Sequence, residues 1–132
     1  MNVYISHSGQ DDRLAAEVSR VLHQAGMGVW DASHILPGEN WAEATASALK
    51  NSDAMVVLLT PESAGSKAVQ SDVGFALGQP DFKDRVISVV AGPSTLLEVF
   101  PWVLKRLPRI ELDPDTGDFA ALGELPALLS AD

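Results

Sequence analysis

Cysteine is absent from the 132 residues, which excludes disulfides and thiolate chemistry and suits a reducing compartment. Long apolar runs are absent too: none approaches the roughly 20 residues of a membrane span. The opening Met1-Asn2-Val3-Tyr4-Ile5 lacks the basic segment of a secretory signal and enters structure at once. A cytoplasmic protein without a membrane partner is the expectation. Positive charge is scarce, with 9 basic against 18 acidic side chains and a net charge of -9. Non-specific nucleic-acid binding needs a basic surface, so no nucleic-acid partner is expected. An anionic small ligand remains compatible, because backbone N–H groups at helix starts hold phosphate without net positive charge. His7, His23 and His34 lack metal-ligand spacing, so no metal site is expected. Repeats, linkers and low-complexity segments are also missing. With 46% hydrophobic residues, the chain fits one domain over 1–132 with one core.

The chain is organised around Ser63-Ala64-Gly65-Ser66-Lys67-Ala68-Val69-Gln70-Ser71-Asp72-Val73-Gly74-Phe75-Ala76-Leu77-Gly78. It follows the most apolar run, Ala54-Met55-Val56-Val57-Leu58-Leu59. That order predicts a buried strand, a polar turn and a helix, with Ser63 or Ser66 as cap and Gly78 as terminator. Val69, Val73, Ala76 and Leu77 recur at helical spacing and face the sheet. Asp72 falls at the edge of that stripe, which predicts a half-exposed carboxylate that contributes little to packing. From there it looks over the carboxyl ends of the strands, where open α/β sheets bind ligands. A solvated surface aspartate is the plain alternative.

Strands are expected near residues 2–6, 27–30, 54–59, 85–90 and 108–112, with Pro108 suited to an edge. Helices are expected from about Arg13 to Gln24, capped by Asp11 or Asp12, and through Lys50 after Asn40. The first carries Leu14, Val18, Val21 and Leu22 on one face; the second turns Trp41, Ala44, Ala48 and Leu49 inward. Gln79 to Asp84 is a proline-bearing connector. Ser94 to Val99 is a short helix or turn, and Phe100-Pro101-Trp102 an apolar patch. A last helix spans Asp118 to Leu129, interrupted by Gly123 and Pro126. This alternation predicts a flavodoxin-like three-layer α/β sandwich, a central parallel sheet of four or five strands with helices on both faces. His7-Ser8, Trp30-Asp31 and Thr60 to Ser66 all lie just past strand ends and converge on one rim with the helix of Asp72. Ser6 and Ser8 lack a nucleophile elbow, and Asp115-Thr116-Gly117 reads as a turn.

Taken in order, these segments resemble a bacterial Toll/interleukin receptor (TIR) domain. Val3-Tyr4-Ile5-Ser6-His7-Ser8 is similar to the family's first box. Gly28-Val29-Trp30-Asp31 and Leu36-Pro37-Gly38-Glu39 resemble its second strand and BB loop. Ser52 to Ser63 resembles its third strand and the Ser/Thr-Pro-x-Ser beyond. Ser66-Lys67-Ala68-Val69-Gln70-Ser71-Asp72 lines up with its Ser-x-Trp-x-x-x-Glu. The resemblance covers about residues 2 to 112, leaving 113–132 as a C-terminal helix.

The resemblance implies one of two activities. Some TIR domains cleave the nicotinamide–ribose bond of NAD+, or cyclise the product, in bacterial defence or signalling; others only assemble with further TIR domains. For an enzyme it implies Asp72 as the catalytic carboxylate, supporting an oxocarbenium-like transition state. Ser6, His7, Ser8, Trp30, Asp31 and Ser66 would line the nucleotide site. Leu36, Pro37, Gly38 and Glu39 would gate the cleft and contact other TIR domains. NAD+ is then a substrate, and no cofactor is implied. The chain departs from the family twice. Asp72 replaces the glutamate, shortening its reach by roughly 1.5 Å, and Ala68 replaces the tryptophan, removing an aromatic platform. Trp30 serves either as a substitute platform or as a core residue. A further resemblance, of Asp72-Val73-Gly74-Phe75-Ala76-Leu77-Gly78 with Pro80 to nucleoside deoxyribosyltransferases, implies a different N-glycosidic enzyme.

Overall fold

A computed structural model describes residues 2–30, 38, 40–78, 85–92, 108–112 and 120–130. Strand β1 is Asn2–Ser6, helix α1 Asp12–Gln24, β2 Gly28–Trp30, α2 Trp41–Lys50 and β3 Ala54–Leu59. Helix α3 is Lys67–Leu77, β4 Val86–Ala91, β5 Arg109–Leu112 and α4 Leu125–Ser130. The five strands form one sheet in the order β2-β1-β3-β4-β5, and all four pairings are parallel. This is the expected α/β architecture, with each strand within one residue of its expected bounds.

Side-chain alternation along the strands divides the core into two layers. Val3, Ile5, Val56, Leu58, Ile87 and Val89 point toward α1 and the C-terminal segment, where Val18, Leu22, Leu122, Leu125 and Leu129 cover them. Tyr4, Met55, Val57, Leu59, Val86 and Val90 point the other way, under Leu49 of α2 and Val69, Val73 and Ala76 of α3. Strand β3 lies between β1 and β4 and is buried along its whole length, which accounts for its unbroken apolar sequence. Val69 and Val73 are fully buried, and each stabilises the contact of α3 with the sheet by roughly 1.5–3 kcal/mol.

Local chemistry accounts for the helix ends. Asn40 caps α2 by accepting from Glu43 N–H at 3.1 Å, and Ser66 caps α3 by accepting from Val69 N–H at 3.3 Å. Gly26, just past α1, has φ of +81°, a conformation that favours glycine at a helix end. Two sequence expectations need correction, and the choice between Ser63 and Ser66 is decided for Ser66. Asp11 precedes α1 but makes no cap bond; Ser8 instead caps a 3₁₀ turn at Gly9–Asp11, which frees the Asp11 carboxylate for longer-range contacts. Ser63, the alternative cap for α3, is buried against Thr60. The C-terminal segment is a 3₁₀ turn, Ala120–Glu124, followed by α4. A continuous helix would set the ring of Pro126 against the carbonyl of Leu122; starting α4 at Leu125 puts Pro126 in the first turn, where no N–H is needed. Residues 79–84, 93–107 and 113–119, including the Phe100-Pro101-Trp102 patch, lie outside the described residues.

Candidate active site at the carboxyl end of the sheet

Because β1 alternates, Tyr4 and Ser6 share the face covered by α3. Asp72 reaches down from that helix to both. Its Oδ2 accepts from Ser6 Oγ at 2.8 Å and from Tyr4 Oη at 3.1 Å, while its Oδ1 accepts no hydrogen bond from a described residue. Asp72 is only 7% exposed, so the expected half-exposed carboxylate is a buried one. Crossover geometry makes the difference: α3 lies close on β1 and β3, and its stripe of small and branched residues leaves the carboxylate facing the sheet.

Desolvation by burial raises the Asp72 pKa above its ordinary 3.8; the Ser6 hydrogen bond, the Tyr4 hydrogen bond and the nearby His7 imidazole each oppose that rise. The Tyr4 ring in turn stacks on Trp30, with centroids 5.0 Å apart and planes 19° apart. Trp30 at the end of β2 is half-buried and packs against the α2/α3 layer. One of its faces is therefore taken by Tyr4.

His7 follows β1 directly, and its side chain is 7% exposed. Its Nδ1 lies 2.8 Å from the Ser8 carbonyl oxygen. A carbonyl only accepts, so Nδ1 carries the proton and Nε2 is left as an acceptor when the ring is neutral. Nε2 is buried with no hydrogen-bond partner among the described residues. An unsatisfied buried group of this kind costs about 1–3 kcal/mol, and a ligand or water hydroxyl would offset it.

A second carboxylate organises the loops above. Asp11, 9% exposed, accepts on Oδ2 from Thr60 Oγ1 at 2.6 Å and from Ser8 Oγ at 3.3 Å. Thr60 Oγ1 accepts from Ser63 N–H at 3.1 Å, and Ser63 Oγ donates to the Thr60 carbonyl at 3.0 Å. The exits of β1 and β3 are thereby joined just before Ser66 and α3.

Of the residues expected at the site, the structure brings Ser6, His7 and Asp72 together and sets Trp30 one residue away, across Tyr4. Ser8 is turned to Asp11, and Ser66 caps α3. Gly38 is exposed with φ of +91°, while Asp31, Leu36, Pro37 and Glu39 lie outside the described residues. Sequence reasoning placed Thr60 on the rim and Asp11 at the start of α1 but missed the hydrogen bond between them, and it missed Tyr4 as a partner of Asp72. The alternation that buries Val3 and Ile5 on one face already aligned Tyr4 with Ser6 on the other. A surface groove of about 380 Å³, lined by Arg20, Gln24, Gly123 and Pro126 among others, lies on the opposite face of the sheet and is separate from this cluster.

The TIR domain family model matches residues 3–125. Among solved structures, the chain is similar to a metazoan TIR-STING receptor from C. gigas, solved with 2',3'-cGAMP, at 20% identity and TM-score 0.78, over 98% of this chain and 39% of that one. It is similar to the TIR domain of a Toll-related receptor from Hydra magnipapillata at 19% identity and TM-score 0.69, over 86% of each chain. It is also similar to a CMP N-glycosidase from Clostridium botulinum at 13% identity and TM-score 0.63, over 96% of this chain and 99% of that one. No functionally curated protein matches the sequence. With the family match spanning nearly the whole chain and the parallel five-stranded sheet beneath it, the chain belongs to the TIR domain family.

Proposed function

We propose that this TIR domain cleaves the nicotinamide–ribose bond of NAD+, releasing nicotinamide and hydrolysing or cyclising the remainder, within a cytoplasmic bacterial defence or signalling system. The observation that supports this most is the Asp72 carboxylate. It is largely shielded from water near the carboxyl end of β1, and both its donors sit on one oxygen. Cleavage develops positive charge on the ribose as the bond from C1' to nicotinamide breaks. A fixed carboxylate in a low-dielectric site stabilises that charge far more than one in water. Nicotinamide departs neutral, so no strong general acid is needed. The Nε2 acceptor of His7 suits a ribose or water hydroxyl. The N-glycosidase named for its similar fold adds weight, since it too acts on an N-glycosidic bond.

The alternative is a non-catalytic module that assembles through TIR–TIR contacts, with Leu36, Pro37, Gly38 and Glu39 at the contact. It is favoured by the way Asp72 ties α3 to β1 and by Ala68, which brings no ring. Incubating the concentrated protein with NAD+, and separately with a deoxynucleoside, and identifying products by mass decides among these readings. Nicotinamide release that Asp72→Asn abolishes supports the NAD+ enzyme. Base exchange on the deoxynucleoside would indicate a deoxyribosyltransferase. No turnover at any concentration, with concentration-dependent self-association, would leave the assembly module.

A further inference from the structure

We infer that Tyr4 is the positioning residue for the Asp72 carboxylate, holding Oδ2 so that Oδ1 is the oxygen presented to the ribose of a bound nucleotide. This rests on the NAD+ reading for its consequence, but the positioning stands on geometry alone.

Tyr4 is 2% exposed, on a sheet face whose neighbouring strand residues are Met55, Val57, Leu59, Val86 and Val90. Packing there requires only an apolar ring. A hydroxyl buried in such a layer is costly unless it donates, and Tyr4 Oη donates to Asp72 at 3.1 Å across 68 positions of sequence. The stack on Trp30 restricts the ring that carries this hydroxyl. Ser6 donates to the same oxygen at 2.8 Å. Two donors converging on one oxygen fix the rotation of the carboxyl group, which a single donor leaves loose. They also favour the charged form that stabilisation of an oxocarbenium ion requires.

Among the described residues, few other charges face Asp72. From the loop after β1, His7 acts on it; from β1 itself, Tyr4 and the neutral donor Ser6. The side chains that β3 and β4 turn to this layer are apolar apart from the Ser88 hydroxyl, and α2 adds the buried hydroxyl of Thr45. On α3, Lys67 is exposed at the first turn.

Tyr4 is the chain's single tyrosine, so ring labelling with carbon-13 gives one resonance to follow. Carboxyl labelling of aspartate, with Asp72→Asn identifying the signal, gives the other half of the test. In the wild-type chain the Tyr4 Cζ resonance should titrate with the same midpoint as the Asp72 carboxyl. In Tyr4→Phe, which keeps the stacked ring, the Asp72 midpoint should move to higher pH. The acid limb of NAD+ cleavage should move with it, and kcat should fall about tenfold with KM little changed. A Tyr4 resonance indifferent to Asp72 titration, or an unmoved midpoint in folded Tyr4→Phe, would overturn the inference. The wild-type measurement decides the matter even where the variant does not fold. Absence of cleavage by the wild-type chain would overturn the NAD+ reading, and the two titrations would still decide whether Tyr4 positions Asp72.

Discussion

Thr60 Oγ1 donates to Asp11 Oδ2 at 2.6 Å, joining residues 49 positions apart. This hydrogen bond carries much of the link between the exits of β1 and β3. Thr60→Val keeps the shape but leaves Asp11 with only the longer contact from Ser8, and leaves Ser63 N–H without its acceptor. A loss of about 2–3 kcal/mol is expected in urea unfolding. A double-mutant cycle with Asp11→Ala should give a coupling energy above about 1 kcal/mol. Additive effects would show that the two residues act independently.

Asp72→Ala should destabilise as well as inactivate. It removes the acceptor that the buried Ser6 and Tyr4 hydroxyls share and opens a small cavity, together costing about 2–4 kcal/mol. Asp72→Asn keeps an acceptor for both donors and should cost less, while abolishing nicotinamide release equally. Comparing the two by chemical denaturation and product assay separates loss of chemistry from loss of fold.

Lengthening the carboxylate should not help. Asp72 is itself buried, on a helix whose Val69, Val73 and Ala76 are fully buried against the sheet, and its carboxylate is held by Tyr4 and Ser6 of β1. Asp72→Glu inserts a methylene there, with an expected cost of about 1–3 kcal/mol. It also displaces the oxygen that Tyr4 and Ser6 hold. Activity should fall despite the family's preference for glutamate; turnover equal to or above wild type would show that reach, not placement, limits the reaction.

The raised pKa of Asp72 has a stability consequence with a definite sign. The folded state holds this proton more tightly than the unfolded chain, whose value is the ordinary 3.8. The stability Asp72 contributes is therefore fully present below that pH and is lost as pH rises through the higher folded value. Relative to wild type, Asp72→Asn should gain stability upward from about pH 4 and then level off. Urea titrations of both proteins across this range measure the difference, and a pH-independent difference would contradict it.

Gly38 has φ of +91°, and a Cβ built on it meets nothing within 4 Å. Gly38→Ala is thus strained by backbone conformation rather than by collision, at a cost of about 1–2 kcal/mol. Because the residue is exposed, the effect should fall on the shape of the loop. If that loop makes the contact between domains, light scattering should show weakened self-association beyond what the accompanying fall of several degrees in melting temperature accounts for. Unchanged association would remove Gly38 from the contact.

Local pattern determined the elements and their faces. The run from Ala54 to Leu59, the spacing of Val69, Val73 and Ala76, and the caps Asn40 and Ser66 each depend on a few neighbouring residues, so periodicity and side-chain chemistry were enough to read them. Alternation of strands and helices then left a parallel sheet as the economical arrangement, with Asp72 above it and His7, Trp30 and Thr60 near strand ends. The burial of Asp72 was not legible, because it depends on how closely α3 settles on β1 and β3. Nor were the contacts of Tyr4 with Asp72 and of Asp11 with Thr60, which cross 68 and 49 positions. Strand register and helix crossing decide such pairings. A polar side chain near the edge of an apolar stripe carries no local sign of whether it will meet water or a partner. Only the packed tertiary structure made that choice, turning Asp72 inward where two hydroxyl groups replace the water it loses.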